Sequence, residues 1–179
     1  MKKYISIAAF LFFSASAFSQ TYTATDAGSK IHFVIKNFGF NVGGVFRGLK
    51  GTIVFNSKAL SSSRFSVSVD AATISTGNDT RDGHLRKAED FDVAKYPLIR
   101  FESKKITEST NAGRLYVIGN LTIKGVTKPV EFGFSATPSG SGYNFEGDFE
   151  INRRDFGVGG SSISMGDNVK VYLKVAAKK

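Results

Sequence analysis

The 179-residue chain contains no cysteine and no tryptophan, and only two histidines, His32 and His84. Without cysteine there is no disulfide framework, no thiol nucleophile and no residue to carry the lipid of a bacterial lipoprotein. Two histidines far apart among scattered carboxylates do not make metal-ligand spacing, so neither metal nor cofactor is expected. Ser161-Ser162 follows Gly159-Gly160 in a flexible stretch with no nucleophile motif, and the expectation is a protein that is not an enzyme. The missing tryptophan and the final Lys178-Lys179 argue against an outer-membrane barrel, which carries aromatic girdles.

Charge excludes less. The formal balance is +9, or +7 once Lys2 and Lys3 are set aside, but the basic residues are dispersed. Their pairs, such as Lys104-Lys105 and Arg153-Arg154, come with no nucleic-acid motif, so a solvated surface is expected and no nucleic acid as partner.

The first twenty residues read as an address. Lys2-Lys3 precede an apolar run from Tyr4 to Phe13, and Ala15, Ala17 and Ser19 supply a small-residue cleavage signature. Residues 1–19 are therefore expected to be a signal peptide and residues 20–179 a single exported domain, periplasmic in the first place and secreted in the second. At roughly 160 residues that domain is long enough to bury its own core.

Period-two alternation then dominates. Phe65, Val67, Val69 and Ala71 alternate with Ser66, Ser68 and Asp70; Leu115, Val117, Gly119, Leu121 and Ile123 share one face of another strand. Val130 to Ala136, Tyr143 to Asn152 and Val169 to Val175 behave alike, and segments near 30–37, 45–55 and 98–106 bring the count to about eight strands. Turns are expected at Asn111-Ala112-Gly113, from Gly125 to Pro129, from Pro138 to Gly142, and at Gly166-Asp167-Asn168. Strands with one apolar and one charged face bury the apolar side in a sandwich or in a sheet closed on itself. Long strands in hairpin succession favour an all-β, eight-stranded antiparallel barrel, whose interior is filled by side chains or holds one small ligand. The segment from Ile74 to Phe101 breaks the pattern. Asn78 or Asp79 is a credible helix cap, Leu85 and Phe91 could turn inward, and Tyr96-Pro97 ends the insert, giving a short helical insert around residues 78–95.

Four stretches in this order carry a family likeness. They are Thr76-Gly77-Asn78-x-x-Arg81-Asp82-x-His84-Leu85 with Asp90-Phe91-Asp92 and Tyr96-Pro97-x-Ile99-x-Phe101; Gly119-x-Leu121-Thr122-Ile123-Lys124-Gly125-Val126-Thr127-Lys128; Ile151-Asn152-Arg153-x-Asp155-Phe156-Gly157; and Gly166-Asp167-x-Val169. The chain resembles the YceI family of polyisoprenoid-binding proteins over essentially all of residues 20–179. The resemblance implies an extended lipocalin-like barrel, exported to the periplasm, that holds the tail of a long isoprenoid, such as a polyprenyl phosphate or an isoprenoid quinone, or a similar amphiphilic lipid. Where many members have a histidine after the first long strand, this chain has Lys36-Asn37.

Candidate tail-binding residues are the inward-facing Phe33, Phe55, Phe65, Val67, Phe101 and Val117, followed by Leu121, Phe132, Phe134, Phe145 and Phe149. Candidates for an anionic head group are Arg81, His84, Arg153 and Arg154, since guanidinium forks suit phosphate oxygens. The competing account of these four is structural: Arg81 and Asp82 hold the insert, and Arg153 with Asp155 ties down a loop. The competing account of the whole protein is an interaction protein with a solid core and no lipid. Contact with a membrane surface is expected to be transient at most, and the reading leaves room for a homodimer.

Overall fold

Each alternating segment becomes one strand of a closed antiparallel barrel in the computed structural model, which describes residues 20–179. The expected signal peptide lies outside the described residues. The strands are β1 (Gln20–Asn37), β2 (Phe40–Phe55), β3 (Arg64–Ser75), β4 (Leu98–Glu108), β5 (Leu115–Ile123), β6 (Val126–Ser139), β7 (Gly142–Asn152) and β8 (Met165–Lys178). Each pairs with its sequence neighbours, and β8 closes on β1. Helix α1 (Asp79–Leu85) lies between β3 and β4, and short 3-10 turns occupy Leu60–Ser62 and Arg153–Phe156.

Burial follows the alternation. On β7 and β8 the outward row carries Glu146, Glu150, Lys170 and Lys174, and Glu146 meets Lys174 at 3.3 Å across the strands. The apolar rows turn inward, the reverse of a barrel whose outer face meets lipid.

Several boundaries differ from the sequence reading. β2 begins at Phe40 rather than near Val45, and Pro138-Ser139 belong to β6 and Gly142 to β7 rather than to the turn between them. Three further differences have a wider bearing. First, β1 starts at Gln20, ten residues before the expected segment. A register irregularity between Thr25 and Ile31 interrupts its alternation, and the Asp26 carboxylate bridges the gap by accepting the Gly48 and Leu49 N–H groups, both at 2.7 Å. Second, the turn expected from Gly125 to Pro129 is only Lys124-Gly125, and Pro129 lies inside β6. The reason is local: β6 pairs with β7 only from Phe134 onward, so its first half is an edge that tolerates proline. Third, Gly166-Asp167-Asn168 begins β8, and the reversal of the chain occurs earlier, between Phe156 and Met165.

The barrel has two unlike ends. One holds the 3-10 turn at 60–62, the connections around 109–114 and 140–141, and the start of β1. The other, here termed the rim, gathers the β1–β2 hairpin, the insert with α1, the β5–β6 turn and the 153–164 connection. Away from the rim the interior is solid. Phe55, Phe65, Phe134, Phe145 and Val117 are buried there, and edge-to-face contacts link the rings: Phe55–Phe145 at 5.2 Å, Phe65–Phe145 at 5.3 Å and Phe65–Phe134 at 5.5 Å between centroids.

Candidate functional site

Towards the rim the same inward rows no longer meet. They enclose a cavity of about 220 Å³ whose wall is almost entirely carbon. Phe33 and Val171 face it from β1 and β8, Val67 and Phe101 from β3 and β4, and Leu121, Phe132 and Phe149 from β5 to β7. Many of these side chains are only half-buried, although their strand positions match those of the fully buried residues below. The space they leave is what exposes them. An apolar cavity of about 150 Å³ already stays dry and takes up benzene, so this one suits hydrocarbon better than water.

Glycine makes part of the room. A Cβ on Gly44 would stand 2.4 Å from the Phe33 ring, and one on Gly119 would stand 2.6 Å from the Phe101 ring. Each ring therefore lies over a neighbouring strand's backbone and leaves the centre open.

The insert forms one side of the rim, and its polar residues hold it there. The Asn78 side chain accepts the Arg81 N–H at 2.9 Å, which caps α1. The buried Asp82 carboxylate accepts the Thr76 N–H at 2.9 Å and the Thr76 hydroxyl. Arg81 donates from Nε to Thr76 Oγ1 at 2.7 Å and from Nη2 to the Thr76 carbonyl at 2.9 Å. Arg86 donates to the carbonyls of Ala72 and Ile74, fastening the insert to β3. With the polar side so fixed, Leu85 and Phe91 turn onto the cavity wall, and Phe91 meets Phe46 at 5.6 Å.

Arg153 fastens the opposite side. It is buried and spends three nitrogens on three partners: Nε on the Gly166 carbonyl at 3.0 Å, Nη1 on the Val158 carbonyl at 2.9 Å, and Nη2 on Asp167 at 2.8 Å. Its ion-pair partner is thus Asp167 rather than the expected Asp155. Lys124 joins the two sides, donating to the carbonyls of Glu89 at 3.0 Å and Gly157 at 2.8 Å. Beneath this lacing Phe156 and Val158 pack on Leu121 and Ile123, beside the unpaired half of β6.

Three polar groups on the wall are unlike the rest. His32 Nδ1 is buried with no hydrogen-bond partner among the described residues, and burial, with a smaller push from Lys30, lowers the imidazole below its ordinary value. Asn37 Oδ1 is buried and has no hydrogen-bond partner among the described residues. The Asp90 carboxyl is pushed above the usual carboxylate range by burial, against the pull of Lys124 and Arg153; Glu89 adds a smaller upward push and His84 a smaller downward one.

Six of the eleven tail candidates therefore line the cavity: Phe33, Val67, Phe101, Leu121, Phe132 and Phe149. The other five, Phe55, Phe65, Val117, Phe134 and Phe145, stand in the packed half. Among the head-group candidates, Arg81 and Arg153 reach the wall, whereas His84 is exposed in the last turn of α1 and Arg154 is half-exposed, 3.7 Å from Asp167. The sequence reading missed Ile35, Phe46, Ile99 and Val171 as wall residues, although their alternation places them inward. Asn37, singled out only as a departure from a family pattern, also stands on the wall.

Comparison with known proteins places this geometry. A model of the YceI-like domain matches residues 22–177. The proteins named YceI of Salmonella arizonae and Salmonella paratyphi B are each 32% identical over 162 residues, covering 86% of this chain and 84% of the relative. Among solved structures, BcnA of Burkholderia cenocepacia superposes with a TM-score of 0.80 at 22% identity, covering 87% of this chain and 99% of BcnA. The Campylobacter jejuni YCEI protein gives a TM-score of 0.69 at 27% identity, covering 78% and 86%. A polyisoprenoid binding domain from Saccharophagus degradans gives 0.69 at 15% identity, covering 90% and 99%, a likeness of fold alone.

Proposed function

The chain belongs to the YceI family, and from that membership and the cavity we propose that it is an exported, periplasmic carrier for a long-chain isoprenoid or similar amphiphilic lipid. The tail occupies the cavity and the head stays at the rim. The observation that carries this reading is the empty, carbon-walled space in a barrel whose other half is packed solid. A ligandless interaction protein would have no use for it, since filling such space stabilises a fold.

Magnitudes favour a carrier over a permanent holder. Each buried methylene contributes about 0.8 kcal/mol against water, so a tail of many carbons offers far more than non-covalent binding ever shows. A bilayer shields the same tail equally well. The net preference of the tail for protein over membrane is therefore small, and exchange is easy. That is binding chemistry, and no bond is made or broken.

For the head group, Arg81 is the better candidate of the two arginines on the wall. Arg153 has all three nitrogens engaged, whereas the Nη1 of Arg81 makes no hydrogen bond among the described residues. Among the polar groups of the wall, Asn37 and Arg81 would then meet the head, Asn37 offering an acceptor and Arg81 a charge.

The deciding experiment is mass spectrometry of solvent extracts from natively purified protein, paired with thermal shifts on adding isoprenoids. A stoichiometric lipid, or a melting point that rises with lipid concentration, supports the carrier. Neither appearing would end it. Arg81→Gln should weaken binding of a phosphate-headed isoprenoid more than that of a neutral quinone.

A further inference from the structure

The large hydrophobic side chains most exposed among the described residues are Phe38 and Phe40, each at 76%, and the fully exposed Ile163. All three belong to the rim. Phe38 and Phe40 sit at the tip of the β1–β2 hairpin, where Asn37 pairs with Phe40 across a two-residue turn. Ile163 lies in the connection before β8, and the Phe38 N–H donates to the Ser164 carbonyl at 2.7 Å, so the two tips form one apolar point. Asn37, directly before Phe38, and Met165, two residues after Ile163, stand on the cavity wall.

Phe38 is doubly out of place. Its φ is 49°, followed by Gly39 at 80°, the left-handed pair of a turn that favours Asn-Gly. A bulky ring gains nothing in that backbone and nothing in water. Neither the turn nor the core explains phenylalanine here, so its partner lies outside the described residues.

The charge nearest the hairpin tip is Lys36, directly before Asn37, and no Asp or Glu lies between Asp26 and Asp70 or within residues 156–166. Asp167, the next carboxylate beyond the second tip, is paired with Arg153 and stands 3.7 Å from Arg154. We infer that Phe38, Phe40 and Ile163 form a membrane-docking tip that seats the rim of the barrel on an anionic phospholipid bilayer. Size favours a bilayer over a protein. Three such side chains offer on the order of 500 Å², short of the roughly 600 Å² per partner that a small stable protein interface buries, whereas an aromatic tip backed by a lysine suits a bilayer surface. Docking there brings a tail from membrane to cavity with little exposure to water. That purpose rests on the carrier reading; the docking itself is measurable with no ligand.

The test is flotation of the purified protein with phosphatidylethanolamine–phosphatidylglycerol vesicles, beside phosphatidylcholine vesicles, at low and high salt. Binding should be stronger to the anionic vesicles and should fall with salt. Phe38→Asn combined with Phe40→Thr and Ile163→Ser should reduce partition by on the order of a hundredfold or more. Phe38→Asn alone should raise the melting temperature while lowering partition, which separates docking from folding. Unchanged partition of the triple variant overturns the proposal, as does failure of the unmodified protein to bind. A triple variant that instead changes only its sedimentation coefficient overturns it in favour of contact between copies of this chain. If the tip docks but no isoprenoid enters the cavity, the carrier reading fails and the docking stands.

Discussion

Replacing valine by phenylalanine should have opposite effects in the two halves of this barrel. Val171 lies between Phe33 on β1 and Phe149 on β7, on the cavity wall, and is half-buried. Val117 lies between Ile106 and Phe132 and has no exposed surface. The change adds four carbons at either place. At Val171 they enter empty apolar space, worth at most roughly 2–3 kcal/mol if fully buried. At Val117 they enter a packed core, where overfilling costs about 1–3 kcal/mol. In a domain of this size each kcal/mol moves the melting point by about 2–4 °C, so the two variants should part by around 10 °C in opposite directions. Thermal unfolding of ligand-free protein by circular dichroism measures this. Val171→Phe should also weaken lipid binding, because the new ring takes the tail's place. If Val171→Phe destabilises as much as Val117→Phe, the cavity is not usable space and the argument built on it fails.

Arg153→Ala should cost about 2–4 kcal/mol in denaturant unfolding, because it leaves two carbonyls and Asp167 without partners; Arg154→Ala, half-exposed and 3.7 Å from the same carboxylate, should change stability by less than about 0.5 kcal/mol. Gly44→Ala should push the Phe33 ring towards the cavity and reduce lipid uptake, with a stability loss of about 1 kcal/mol; unaltered uptake would show that the ring has another place to go. Asp90 binds its proton more readily folded than unfolded, so its contribution is most favourable below the unfolded carboxylate value, near pH 4, and declines as pH rises through the raised folded value. Asp90→Asn should therefore stabilise the protein more at pH 7 than at pH 4, and an equal gain at both would assign the effect to something other than titration.

Much of this was legible from residues alone. Alternation depends on backbone geometry, which points successive side chains to opposite faces whatever their neighbours, so it identified the strands and their inward rows. The cap at Asn78 and the inward turn of Leu85 and Phe91 were equally local, and the helix and wall contacts follow them. Family motifs in register added the fold. The irregularity within β1 was hidden, because a break in pairing shows only against the partner strand.

Tertiary structure decided what the inward rows enclose. Phe145 and Phe149 have the same type, strand and face, yet Phe145 is packed among Phe55, Phe65 and Phe134 while Phe149 lines empty space. Arg153 and Arg154 are adjacent and chemically identical, yet one is a buried clamp and the other a surface charge. In both pairs the difference is set by residues distant in the chain, and by how much volume they leave between them. Sequence specified the direction of each side chain, because direction belongs to the backbone. Whether a side chain meets a neighbour or a void belongs to the closure of eight strands around a common axis.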